Sequence, residues 1–170
     1  ICIPLAFYYQ NANPFLTAVG VENATGKTYN AFTQEKLYGK TGMTGVWLPG
    51  VGGNGKIHYS TVRSMARFGL LLLNKGNWNG TAVLSDQTYF NEMINTSQNM
   101  NPSYGYLTWL NGKSNHMLPG TQLTFNGSIT PNAPVDMYAA LGKNDQKIYV
   151  VPSQNVVVIR VGDASGSSLF

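Results

Sequence analysis

Residues 135–161 read VDMYAALGKNDQKIYVVPSQNVVVIRV, and this stretch decides the fold. Three runs rich in β-branched and aromatic residues, Val135 to Leu141, Lys147 to Val151 and Asn155 to Val161, are separated by short polar turns at Gly142 to Gln146 and Pro152 to Gln154. Such runs, joined by a few turn-forming residues, predict an antiparallel meander. Val156 to Ile159 is apolar without a break, which predicts a strand covered on both faces. Tyr104 to Leu110 has the same texture and is read as a further strand.

Upstream of Pro102 the pattern is helical. Asn13-Pro14 suits a helix start, with Phe15, Leu16, Val19 and Val21 on its apolar side and Gly26 at its end. A second short helix is predicted from Thr28 to Leu37, with Tyr29, Phe32 and Leu37 inward. Gly39 to Gly55 carries six glycines beyond its first, which predicts an exposed loop. The clearest helix spans Thr61 to Lys75, because Val62, Met65, Phe68, Leu71 and Leu72 recur at helical spacing. Ser60 is its predicted N-cap and Gly76 its stop, and Ser85 is predicted to cap a helix that buries Tyr89, Phe90, Met93 and Ile94. Helices followed by an antiparallel sheet imply an α+β class, either a domain or one part of a larger one. No repeat or linker divides residues 1–170.

Composition narrows the function. Hydrophobic residues make up 43% of the chain, enough for a packed core, while charged residues supply only 11%, well below the usual quarter or so. The net charge of +4 is spread along the chain without a Lys/Arg run, which argues against a nucleic-acid partner. No apolar stretch reaches the roughly 18 residues of a membrane span. The single cysteine, Cys2, forms no internal disulfide. The opening ICIPLAFYY is core-like from its first residue and lacks a signal-peptide pattern, so it reads as the middle of a folded protein.

Several segments together resemble one family. Tyr8-Tyr9-Gln10-Asn11 contains the Tyr-x-Asn second motif of class C-like serine β-lactamases, a family that includes DD-peptidases, esterases and hydrolases of short nylon oligomers. Gly42-Met43-Thr44 is similar to the family's Gly-Met turn, and Met65 to Gly69 to its "DMARFG" helix. Tyr104-Gly105-Tyr106 before Trp109 resembles its aromatic strand, and Ala140-Leu141-Gly142 through Arg160 its final hairpin. The likeness runs through nearly the whole chain in order. It implies a β-lactamase/DD-peptidase-like α+β fold of which this chain is the C-terminal portion, with the N-terminal segment of the same domain as its missing partner.

The resemblance assigns roles. Tyr9 would shuttle a proton, since a phenol near an ordinary pKa of about 10 serves acyl transfer only when a neighbouring cation lowers it. Asn11 would orient the substrate amide or that cation. The third family motif, Lys-Thr-Gly, is replaced here by Ala140-Leu141-Gly142. Gly142 and the main-chain N–H of Lys143 would form the oxyanion side of the cleft, with Leu141 and Trp109 against the substrate. Losing the motif's lysine and threonine favours esterase or amide-hydrolase branches. Lys40-Thr41-Gly42 matches the lost motif by letter but sits at the Gly-Met turn.

The nucleophile is the missing part. No serine stands three residues before a lysine, and Ser60 and Ser64 precede Arg63 and Arg67, which cannot act as bases. The family's Ser-x-x-Lys lies upstream of Tyr-x-Asn, so the chain alone is expected to be inert. His116 and Asp136 lack the sequence context of a Ser-His-Asp triad. Two histidines, one cysteine and no ligand-spaced carboxylates give no metal site, and no cofactor is expected. The substrate would be a small amide, ester or peptide, handled in the periplasm or outside the cell as the family commonly does. A non-catalytic peptide- or glycan-binding protein of this or another α+β fold is the alternative, and Trp47 and Trp78 would then join Trp109 as cleft residues. The sequons at Asn23, Asn79, Asn95 and Asn126 do not by themselves establish glycosylation.

Overall fold

The computed structural model describes residues 12–50 and 56–163. Helix α1 (Ala12–Thr25) stops where Gly26 turns left-handed at φ +66°. Its Glu22 accepts hydrogen bonds from the Tyr29 N–H and from Lys56 Nζ, joining three segments that are distant in sequence.

The second helix is longer than its apolar pattern. Thr28 caps α2 (Tyr29–Thr33) through its hydroxyl, and the helical path continues through a wider π turn (Gln34–Tyr38) into α3 (Gly39–Thr41). Gly42, at φ +67°, ends it. The loop expected from Gly39 to Gly55 is overturned over its described part, where Gly39–Thr41 is helical and Gly45–Pro49 is a strand. Strands β1 (Gly45–Pro49) and β2 (Lys56–Ser60) pair antiparallel, with Trp47 opposite His58 and Val46 opposite Tyr59. The glycine count hid a period-2 alternation. Trp47 and His58 face inward and stack at 4.5 Å, while Val46, Leu48, Ile57 and Tyr59 face out. Gly45 pairs with Ser60 within the strand, and a Cβ there would overlap His58 Nε2. Asn30 completes the edge of β1, its amide donating to the Trp47 carbonyl at 2.9 Å and accepting from the Trp47 N–H at 2.8 Å.

Helix α4 (Val62–Leu73) is capped by Thr61, whose Oγ1 accepts from the Ser64 N–H. The expected cap, Ser60, instead donates to the Thr44 carbonyl at 2.5 Å, because it is the last residue of β2. A short hairpin follows, β3 (Asn77–Trp78) and β4 (Thr81–Ala82), turning through left-handed Asn79 and Gly80. Asp86, rather than Ser85, caps α5 (Gln87–Met93) by accepting from the Tyr89 N–H. A carboxylate three residues before that N–H has the reach a cap requires.

The sheet forms as the meander predicts, except that its first strand starts at Tyr138 and not at Val135, because Val135 and Asp136 lie in a turn. β8 (Tyr138–Gly142), β9 (Gln146–Val151) and β10 (Val156–Arg160) are consecutive antiparallel neighbours, and β5 (Trp109–Leu110) adds to the far side, giving the order β10-β9-β8-β5. The strand expected from Tyr104 to Leu110 shrinks to these last two residues. Gly105 is pressed against the Met93 carbonyl and donates to the Thr108 carbonyl, so residues 105–108 turn, with Leu107 at φ +51°. Between β5 and β8 a small hairpin, β6 (Asn115–Met117) and β7 (Thr124–Asn126), is anchored by buried asparagines. Asn101 pairs with both backbone groups of Met117, and Asn111 bonds Thr130, Ala133 and Pro134.

The core lies between α4 and this sheet. Met65, Phe68, Leu72 and Leu73 pack on Leu110, Tyr138, Ile148 and Val150. The expectation that β10 is covered on both faces is not met among the described residues. Val157 and Ile159 turn toward α4, but Val158 is 48% exposed and β10 is an edge strand.

Two predictions follow from this packing. A Cβ on Gly69 would overlap Val157 Cγ1 and stand 3.2 Å from Ile148 Cγ2. Gly69→Val therefore destabilises by about 1–3 kcal/mol through overpacking, measured by urea denaturation. The second concerns His58, which lies between Trp47 and the Tyr38 hydroxyl, 2.6 Å from Nε2. Burial holds its imidazole below the ordinary histidine value. The unfolded chain then takes up this proton more readily than the folded one, so stability falls as pH drops below about 6.5 toward the lowered folded value. His58→Gln, which cannot titrate, should flatten that slope when unfolding midpoints at pH 5 and pH 7.5 are compared.

Candidate active site

The end of β8 forms the floor of the candidate site. β5 pairs only with Tyr138 and Ala139, so at Ala140, Leu141 and Gly142 no described strand covers the outer edge of β8. β9 covers the other edge, with Leu141 opposite Lys147 and Gly142 opposite Gln146. A cavity of about 260 Å³ opens at this end of β8 and extends across β9 and β10. Its lining is chiefly apolar and includes Met65, Leu107, Trp109, Leu141, Ile148 and Ile159.

Three of the residues singled out from sequence therefore meet at one cavity: Leu141, Gly142 and Trp109. Trp109 is only 2% exposed and packs edge-to-face on Tyr104 at 4.8 Å, which places it beneath the cavity surface. The Lys143 backbone opens the turn after β8, in a short 3-10 segment (Lys143–Asp145). Tyr9 and Asn11, with Cys2, lie outside the described residues.

Gly142 adopts φ −116°, ψ 166°, an extended conformation open to any residue, and a Cβ there would meet only Gln146, at 3.4 Å and beyond. The fold does not demand glycine at this position.

The turn itself is tightly held. Asn144 and Asp145 are both left-handed, at φ +58° and +66°. Asp145, 4% exposed, binds Lys147 Nζ at 2.5 Å through one carboxylate oxygen and Arg160 Nε at 2.7 Å through the other. Burial is the largest single influence on the Lys147 ammonium and would lower its pKa, but Asp145 and Tyr149 together hold it above the ordinary lysine value. Sequence reasoning did not single out Asp145. A signal was present in the register, since Lys147 stands directly opposite Arg160. Like charges so placed repel unless an anion joins them.

Other sequence candidates fall elsewhere. Thr41 of Lys40-Thr41-Gly42 is buried, its hydroxyl donating to the Leu37 carbonyl. Ser64 is buried at the start of α4, where Oγ accepts from the Thr44 N–H and from the Thr61 hydroxyl. Asp136 accepts from the N–H and hydroxyl of Ser153, and His116 Nδ1 lies 2.9 Å from the Gly127 carbonyl, so the structure does not bring these two together as a dyad. Trp47 lies under the β1–β2 hairpin and Trp78 in β3, apart from the cavity lining. Among the described residues there is no group of His, Cys, Asp and Glu able to hold a metal, and no helix long and apolar enough to cross a membrane.

Because an added Cβ finds room, Gly142→Ala should leave unfolding stability within about 0.5 kcal/mol of wild type. A loss beyond 2 kcal/mol in urea denaturation would mean that glycine serves the fold and not access to the edge.

No protein-family model matches the sequence, and no curated protein matches it. Solved structures do. A chain described as "Putative 6-aminohexanoate-dimer hydrolase from Bacillus anthracis" is similar at a TM-score of 0.69 and 21% identity, the match covering 92% of this chain and 38% of that one. A "putative beta-lactamase from Bacteroides dorei" is similar at a TM-score of 0.58 and 15% identity, covering 87% of this chain and 48% of that one. The present chain thus spans less than half the length of either structure. The sheet, the helix packed on it and these likenesses lead to one statement: the chain carries part of a serine β-lactamase-like fold.

Proposed function

We propose that this chain is the C-terminal part of a serine hydrolase that cleaves ester or amide bonds through an acyl-enzyme. The observation that carries the reading is the uncovered β8 edge at Ala140-Leu141-Gly142 beside an apolar cavity, in a fold similar to that of a 6-aminohexanoate-dimer hydrolase. An extended backbone edge can align a carbonyl substrate and offer N–H groups to the oxygen that becomes negative during attack. In this reading Gly142 and the Lys143 N–H border that oxygen.

The remaining parts follow the family resemblance. A serine and lysine upstream of Ile1 supply nucleophile and base. The serine oxygen attacks the carbonyl, and the tetrahedral intermediate collapses as the leaving alkoxide or amine takes a proton through Tyr9. Asn11 orients the reacting groups, and water then releases the acid. A location outside the cytoplasm belongs to the same reading.

The substrate is assigned to neutral acyl groups. Leu141 stands where the family's third motif has threonine, and Ala140 where it has lysine. Among the described residues, the cations lining the cavity are Lys147 and Arg160, and Asp145 engages both. A β-lactam carboxylate would find little to pair with here. The same replacement favours, as a second reading, a cleft that binds without turnover.

Hydrolysis assays on the full-length protein separate these readings. A neutral p-nitrophenyl acyl ester should be turned over with higher kcat/KM than penicillin, and Tyr9→Phe should lower kcat about 10²- to 10⁴-fold, the usual worth of a positioned proton donor. Turnover of neither compound supports the binding protein, and a Tyr9→Phe variant with wild-type kcat removes the proton shuttle.

A further inference from the structure

Asp145 is a buried acid to which the proposed chemistry gives no task, yet it lies three residues beyond Gly142 and organises everything around it. Its two carboxylate oxygens take cations from two different strands, Lys147 of β9 and Arg160 of β10. Its backbone carbonyl accepts a further bond from Arg160 Nη1 at 2.9 Å, and Arg160 Nη2 donates to the Asp163 carbonyl at 2.7 Å. The neighbouring Gln146 adds a second tie, donating to the carbonyls of Asn144 and Gly162 and accepting from the Gly162 N–H. The turn is thereby fastened to the end of β10, whose register against β9 is fixed by five residue pairs.

Asn144 and Asp145 both hold a left-handed backbone, which asparagine and aspartate tolerate better than other non-glycine residues, so what fixes the turn is its ties to β9 and β10. A salt bridge on a solvent-exposed surface would do little here, but Asp145 is 4% exposed and the Lys147 side chain 18%, so that pair is screened less than the Arg160 arm, whose side chain is 36% exposed. Removing the anion would also leave Lys147 and Arg160 facing each other across the strands.

We propose that Asp145 is a positioning residue: by joining Lys147 to Arg160 it holds the turn after β8 in its left-handed conformation and so fixes the Gly142–Lys143 backbone beside the cavity. The catalytic consequence rests on the reading above, in which this backbone borders the reacting carbonyl. Asp145 touches no substrate and acts only through the placement of those two residues.

The test compares Asp145→Asn, which keeps the side-chain shape and removes the charge, with wild type in the full-length protein. Amide hydrogen exchange across residues 142–146 should rise at least about tenfold, and by more than it rises in α4 and the central part of β9. Turnover of the neutral ester should fall about 10- to 100-fold in kcat with KM little changed, since displacement of a reacting edge by an ångström costs about that much. Asp145→Glu, retaining the charge, should recover part of both. Unchanged exchange at residues 142–146, or an unchanged kcat in an enzyme that does turn over the ester, overturns the proposal. Should Asp145→Asn fail to fold, Lys147→Met removes one arm of the clamp and is read in the same way. A wild-type protein that hydrolyses nothing overturns the serine-hydrolase reading, and the exchange comparison still decides the role of Asp145.

Discussion

The close approach of α4 to the sheet at Gly69 is the constraint on which the rest depends. The helix passes near enough that any side chain at this position would enter Val157 and Ile148. That proximity lets Met65, Phe68 and Leu72 reach Leu110, Tyr138, Ile148 and Val150, forming one core from residues as far apart in sequence as 65 and 150. The Tyr138 hydroxyl reinforces it, donating to the Leu72 carbonyl at 3.0 Å. With helix and sheet so joined, Met65 of α4 and Gly142 at the end of β8 line a single cavity. The candidate site is thus a consequence of how the core packs.

A second feature of the chain is the use of asparagine where a more highly charged protein would use ion pairs or regular strand pairing. Asn30, Asn101 and Asn111 each present an amide that both donates to and accepts from backbone, standing in for a neighbouring strand. An amide side chain satisfies buried peptide groups at no charge cost, which suits irregular segments such as residues 111–137. The low charge content thereby acquires a structural meaning that composition did not disclose. Against this background the Asp145 cluster stands out as a concentration of buried charge next to the uncovered edge.

The parts legible in the sequence were those whose signals are local. The meander of residues 138–160 and helix α4 announce themselves by period and by β-branched content. The parts that were not legible depend on long-range partners. The β1–β2 hairpin was obscured by glycines, and only the stacking of Trp47 on His58 gives Gly45 its reason. Residues 105–108 look like strand but turn because Gly105 must fit against the Met93 carbonyl. The caps at Thr61 and Asp86 each fell one residue from Ser60 and Ser85, since adjacent hydroxyl and carboxylate residues compete for one role. At the site, Leu141, Gly142 and Trp109 could be singled out by resemblance, whereas Asp145 could not, because its partners come from two strands whose register only the fold establishes.

In the proposed reaction the uncovered β8 edge serves acyl transfer by a serine upstream of Ile1. Covalent labelling tests this most directly. The full-length protein is incubated with a fluorophosphonate probe, and the adduct is located by intact-mass measurement and peptide mapping. Stoichiometric modification of one serine, followed three residues later by lysine, is expected in the segment before Ile1. An unmodified protein, or an adduct on a serine within the present chain, would contradict it.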